Sequence, residues 1–195
     1  MDNDPTLLEQ IAAGGEAAFR QVYTHFFPRL YQFAFAMIKT REPAEEIVED
    51  VFVRIWQNRE TTPAIRNLRV YLYTATKNAA LNYLSQKARQ NITEPFDHLD
   101  IDLDGSAGSP EQLLITAEIH RKIQLAVESL PPRCKMIFKL VREDGLKYRE
   151  IAEILNISVN TIDAQMAIAV KKITLAIKAD FDFPIKKSGR QTTDI

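Results

Sequence analysis

The sequence predicts an all-α protein made of two helical modules. Three observations carry that expectation. Apolar residues recur at helical spacing, and no stretch shows the alternation of a strand. Glycines and prolines cluster at the breaks between periodic segments. One long break, residues 91–110, holds two prolines, two glycines and five acidic residues, the composition of a linker.

The elements follow in order. Helices are expected over Thr6 to Ala13, Glu16 to Ile38, Pro43 to Gln57 and about Leu68 to Gln86. Gly14-Gly15, Thr40-Arg41-Glu42 and Arg59 to Pro63 separate them, and Pro43 suits a first helical turn, where its missing N–H is not needed. A second block runs from 111 to 179, and the tail 180–195 reads as frayed. The expected organisation is therefore a first domain over 5–89, an acidic linker over 90–110 and a second domain over 111–179.

Within the second block, Tyr148 to Leu155 places Ile151, Ile154 and Leu155 at helical spacing. Asn156-Ile157-Ser158 breaks the helix, and Ser158 is suited to N-cap a longer one. That helix puts Ile162, Met166, Ala169, Ile173 and Ile177 on one face and leaves the opposite face free. Two such helices form either a helix-turn-helix that enters the DNA major groove or an ordinary hairpin in a bundle.

Composition narrows the function classes. Among 195 residues no apolar run approaches the roughly 20 needed to span a bilayer, so no membrane insertion is expected. The acidic start MDNDPTLLEQ lacks the layout of a secretory signal. The single cysteine, Cys134, reads as a small core residue in a reducing cytoplasm. His25, His98 and His120 lie in separate segments, and the acid pairs Glu45-Glu46 and Glu49-Asp50 have no nucleophile, glycine loop or metal-spaced histidine beside them. No enzyme activity, metal or cofactor is expected.

A net charge of −1 hides a segregated pattern. Residues 61–93 contain no acid but carry Arg66, Arg69, Lys77, Lys87 and Arg89. Residues 90–120 contain no Lys or Arg but carry seven acids. Segregated charge of this kind creates local fields that the sum conceals.

Two first-domain helices add chemistry. In AEEIVEDVFVRIWQN, Ile47, Val48, Val51 and Ile55 make a core stripe, while Phe52, Val53 and Trp56 fall on another side beside Glu45 and Glu49. That second patch either docks a partner protein or caps the core beneath the N-terminal helix. From Arg66 to Arg89, cations alternate with Tyr71, Tyr73 and Tyr83 and with Asn78 and Asn82. Single-stranded DNA is bound by this mixture, since cations neutralise phosphate and rings stack on bases; a solvated basic face is the simpler alternative.

Taken in order, EEIVEDVFVRIW, LYTATKNAALNYL and LPPRCKMIFKLVREDGLKYREIAEILNISVNTI resemble the extracytoplasmic function (ECF) subgroup of bacterial RNA polymerase sigma factors, from about Ala17 to Ile177. The resemblance implies a cytoplasmic subunit that binds core RNA polymerase and promoter DNA, as duplex and as melted strand, with an anti-sigma factor as a further partner. It assigns Glu49, Asp50, Phe52, Val53 and Trp56 to the polymerase. It assigns Arg66, Arg69, Tyr71, Lys77, Asn78 and Asn82 to the −10 element. For the −35 element it points to Lys147, Arg149, Ser158, Asn160, Thr161, Asp163, Ala164, Gln165, Ala167, Lys171 and Lys172. The chain departs from the family pattern at Tyr71, Asn82 and Ser85, where Trp, Asp and Arg are usual, and at Asp163, Gln165 and Ile168, where basic residues are usual. The rival class is a stand-alone helix-turn-helix regulator whose N-terminal block senses a ligand or dimerises.

Overall fold

The computed structural model describes residues 5–90 and 114–178, with side chains placed over 6–89 and 121–177. The expected linker, beyond Gln90, and the tail 180–195 lie outside the described residues. Among the described residues every regular element is helical: α1 (Pro5–Ala12), α2 (Glu16–Ile38), α3 (Arg41–Gln57), a 3-10 turn (Arg59–Ala64), α4 (Leu68–Gln90), α5 (Leu114–Glu128), α6 (Pro132–Arg142), α7 (Tyr148–Leu155) and α8 (Val159–Lys178).

The breaks have local causes. Gly14 takes φ +85°, and a Cβ on Gly15 would meet the Gln10 carbonyl oxygen at 2.7 Å, so only glycine lets α1 turn so tightly into α2. Lys39 ends α2 in the left-handed conformation, its N–H bonded to the Phe35 carbonyl. Helix α3 starts two residues before Pro43, which still falls in the first turn, where the amide has no intrahelical acceptor. Helix α4 runs four residues past the expected Gln86, because nothing in KARQ breaks it.

Helices α1 to α4 pack around Leu8, Ile11, Phe26, Leu30, Val48, Phe52, Leu72 and Tyr73. The second module packs α6, α7 and α8 around Ile137, Leu140, Ile151, Ile154 and Ile162. A side cluster of Val127, Leu130, Cys134 and Ala169 binds α5 to α8. Buried Lys135 is held at 2.9 Å by Glu128 across the α5–α6 corner. Cys134 is buried and donates through Sγ to the Gln165 carbonyl at 3.2 Å.

The two modules touch. Helix α4 lies against α7, and one apolar cluster continues from the first module into the second. Sequence periodicity identifies each helix's apolar face but carries no record of which distant face it meets.

Candidate functional site

Three surfaces carry the residues singled out by sequence, and they differ in how the fold presents them. On α3 the expected patch divides. Val53 is 49% exposed, Glu49 and Asp50 are exposed and Trp56 is half-buried, whereas Phe52 is only 2% exposed. Phe52 as a surface contact is therefore corrected: it is core. Helix α2 lays Tyr23 over it at 4.8 Å between ring centroids and Phe19 against its edge at 6.1 Å. Phe19, Tyr23 and Phe27 recur every four residues, so a matching stripe was legible on α2. Trp56 continues this stripe, 4.9 Å from Phe19. Arg59 closes it from the far side, its guanidinium 5.0 Å from the indole centroid and its Nη1 donating to the Trp56 carbonyl at 3.0 Å. Burial and then the charges of Glu49 and Glu45 push the Tyr23 hydroxyl pKa up, a sign that carboxylates fringe the aromatic stripe.

On α4, Asn67 caps the helix by accepting from Val70 N at 3.1 Å. Tyr71, Asn78 and Asn82 share one outward face and are exposed, with Lys77 beside them and Arg66 exposed in the preceding turn. Arg69 does not join them. Two residues correspond to about 200° of helical turn, so Arg69 points away from Tyr71. Its Nη1 donates to the carbonyls of Asp144 at 3.2 Å and Gly145 at 3.1 Å, in the second module.

On α7 and α8, Asn156 turns the chain with φ +54°, and Ser158 Oγ accepts from Thr161 N at 3.1 Å. Ile162, Met166 and Ala169 face inward, leaving Asn160, Asp163, Ala164, Ala167 and Lys171 exposed on the opposite side. Lys147 and Arg149 flank them at the start of α7, both exposed. Thr161 and Gln165 are half-buried at the edge of this surface. Ser158 and Thr161 hydroxyls bond to each other at 2.8 Å, so both serve the cap. Lys172 reaches back to the Ser129 carbonyl near the end of α5, at 3.3 Å.

A fourth cluster, scattered in sequence, was missed. Where α4 meets α7, Asn67 Nδ2 donates to Glu150 Oε1 at 2.9 Å, and Glu150 Oε2 accepts from Lys147 N at 2.8 Å. Burial alone would raise the Glu150 pKa. The hydrogen bonds from Lys147 N and Asn67, with the charges of Arg69 and Lys147, outweigh it and hold the carboxyl below its usual range. Asp144 is the opposite case. Its side chain is 14% exposed, and Arg29 stands 3.9 Å away. Burial pushes its pKa up to about 6 against the pull of the Tyr73 hydroxyl, Arg29 and Arg69, with Glu143 adding to the rise. Tyr73 is wholly buried, and its pKa is raised by burial and then by Asp144.

Among the described residues no group of three or more His, Cys, Asp or Glu could hold a metal ion, and no helix is long and apolar enough to cross a membrane.

Comparison with known proteins decides the family. Residues 22–90 match the model of sigma-70 region 2, and residues 120–173 match that of sigma-70 region 4. The chain belongs to the ECF sigma-70 family. The ECF RNA polymerase sigma factor SigW of Bacillus subtilis is 25% identical over 171 residues, spanning 82% of this chain and 88% of that protein. The ECF RNA polymerase sigma-E factor of Escherichia coli K12 is 23% identical over 169 residues, spanning 84% and 88%. Two solved structures share the fold. One is CnrH in complex with the cytosolic domain of CnrY, with TM-score 0.54, 21% identity and coverage of 92% of this chain and 99% of that one. The other is the sigma factor RpoE in complex with the anti-sigma factor NepR from Bartonella quintana, with TM-score 0.53, 20% identity and coverage of 83% and 98%. In this family's terms α3 and α4 lie in sigma region 2, and α7 with α8 form the region 4 helix-turn-helix.

Proposed function

We propose that this chain is an ECF sigma factor that binds core RNA polymerase, recognises promoter DNA and starts DNA-templated transcription. The observation that carries the reading is the pair of family matches, region 2 followed by region 4, each falling on a folded helical module. A stand-alone helix-turn-helix regulator with a sensing or dimerising N-terminal block would have no need of the region 2 match.

The surfaces take the following roles. The region 2 module, 5–89, docks on polymerase through Glu49, Asp50, Val53 and Trp56, with Phe52 as the floor beneath them. Tyr71, Asn78 and Asn82 receive the melted −10 strand, while Arg66 and Lys77 neutralise its phosphates; Arg69, turned towards the second module, drops out of this set. The region 4 module, 111–179, lays α8 in the major groove at the −35 element. There Asn160, Asp163, Ala164 and Ala167 face base edges, with Thr161 and Gln165 at the margin. Lys147, Arg149, Lys171 and Lys172 meet the backbone, and Ser158 holds the helix start. The chain works in the cytoplasm as a subunit without catalytic groups of its own. An anti-sigma factor is a fitting further partner, since the structural relatives CnrH and RpoE are each bound to a partner protein.

The test is reconstitution. The purified chain should co-elute with core polymerase and direct transcription from a promoter that core alone ignores. Tight, specific duplex binding by the isolated chain, without affinity for core, would favour the regulator.

A further inference from the structure

The outer face of α8 is apolar over its first three turns. Asn160, Ala164 and Ala167 stand at i, i+4 and i+7, so they form one ridge opposite the buried Ile162, Met166 and Ala169. Ile168, 43% exposed, borders that ridge on one side, and Val159, 41% exposed, borders it on the other beside Asp163. Methyl groups therefore cover most of this surface. The hydroxyls at its start are committed, since Ser158 Oγ accepts from Thr161 N at 3.1 Å and bonds to Thr161 Oγ1 at 2.8 Å. Asn160 and Asp163 are left as its exposed polar side chains in the turns that follow.

The surroundings indicate what covers such a face. Lys147 and Arg149 are exposed at the start of α7, and Lys171 and Lys172 are exposed towards the far end of α8. Lys171 follows Asn160 by eleven residues, roughly 16 Å along the helix axis. Cations thus frame an uncharged strip. The major groove of B-form DNA is complementary to that layout, with phosphates bordering a floor of base edges about 12 Å wide. On that floor each A·T pair projects the C5 methyl of thymine, which an aliphatic side chain can bury and a cation cannot read. A partner protein fits less well, because alanine is depleted in protein interfaces and their anchors are Trp, Tyr and Arg. Two alanines on the midline instead let the helix backbone lie close to the groove floor.

We propose that this chain reads its −35 element through thymine methyl groups, with Ala164, Ala167 and Ile168 packed on the methyls of two or more A·T pairs and Asn160 paired with adenine. The inference rests on the sigma-factor reading and names the bases that α8 selects. The Asn160 amide accepts from adenine N6 and donates to N7. Asp163, which only accepts, excludes the acceptor edge of guanine from the position it faces. Each methyl buried against an aliphatic side chain is worth about fourfold in affinity, so two of them exceed what a typical exposed ion pair supplies.

The test uses the holoenzyme formed by this chain with core polymerase and a pool of duplex promoters randomised over both elements. Selection should enrich thymine at two or more positions of the upstream element. Replacing those thymines by deoxyuridine removes the methyl alone and keeps the base pair. Two such replacements should weaken binding about tenfold. Ile168→Ala should weaken the thymine duplex about fourfold and leave the deoxyuridine duplex unchanged, whereas Asn160→Ala should weaken both alike.

Equal affinity for the thymine and deoxyuridine duplexes overturns the proposal. So does an Ile168→Ala chain that loses co-elution with core yet keeps its preference among duplexes, which would make the face a protein-docking surface. If the unaltered chain does not bind core, the sigma reading falls. The same selection run with the chain alone then decides the methyl contacts, and a pool without thymine enrichment overturns them.

Discussion

Helices α4 and α8 are the two proposed DNA readers, and their outer faces have little chemistry in common. That of α4 sets an exposed tyrosine and two asparagines, Tyr71, Asn78 and Asn82, beside Lys77. That of α8 sets Asn160, Asp163, Ala164 and Ala167 in front of Lys171 and Lys172, both towards its far end. A melted strand offers ring faces and unpaired base edges, so tyrosine and amide suit it. An intact duplex first offers phosphate, and α8 has little to neutralise it with. On the proposed reading, region 2 therefore offers rings and amides to a melted strand, whereas region 4 must draw phosphate contacts from Lys147 and Arg149 on α7 as well as from the lysines of α8.

The largest effect expected from this contrast is on α4. Tyr71→Ala should lower open-complex formation by roughly 10- to 100-fold, the worth of one lost base stack, in a permanganate footprint of the −10 region. Asn78→Ala should flatten the preference among −10 sequences, whereas Lys77→Ala should weaken all of them alike. Equal selectivity in the Asn78 and Lys77 variants would place Asn78 outside the base-reading set.

On α8 the informative change is a gain. Asp163→Arg removes one repulsive charge and adds an attractive one, so duplex affinity should rise about tenfold at low salt. The slope of log affinity against log salt should steepen by roughly one to two. No change in slope would mean that Asp163 does not approach the backbone.

A smaller effect separates fold from reading. Ser158→Ala removes the cap on α8 and should cost about 1 kcal/mol, seen as a few degrees in the melting of the second module. Region 2 binding to core should be untouched.

The smallest effect lies in the pH dependence of the joint that keeps α4 beside α7. The Asp144 carboxyl has its pKa raised to about 6 in the folded chain, against an ordinary 3.8. The folded chain therefore holds that proton more tightly, and the contribution to its stability is progressively lost as pH rises from about 4 to about 6. The Glu150 pKa is lowered from 4.5, so its contribution is present above that value and lost as pH falls through its depressed pKa. The melting temperature of the chain should therefore be highest near about pH 4.5 to 5 and fall slightly towards pH 7. Asp144→Asn should abolish the upper limb, although Arg29, Arg69, Tyr73 and Glu143 still face the site. A limb that survives Asp144→Asn would assign the titration elsewhere.

Much of this was legible in the sequence, and the failures are instructive. The turn at Asn156 to Ser158, the cap by Ser158 and the inward set Ile162, Met166 and Ala169 follow from spacing alone, because local hydrogen bonding and one periodicity determine them. Phe52 was misplaced because a single helix projected on a wheel cannot show that Phe19 and Tyr23 of another helix will cover it. Arg69 was grouped with Tyr71 by charge, although 100° per residue already set them on opposite sides. Asn67, Asp144 and Glu150 gave no signal at all. Each is unremarkable in its own segment, and their meeting depends on how α4 packs against α7.

Arg59, seated on the indole of Trp56, has a practical consequence. The chain contains one tryptophan, stacked against Phe19 and beneath a guanidinium at the rim of the proposed polymerase-docking surface. Its emission therefore reports from a single, known place. Water and charge around the half-buried ring will change when a protein surface arrives, shifting wavelength and intensity without any attached dye. The molecule carries its own optical gauge of assembly, and Arg59→Ala would recalibrate it without removing the fluorophore.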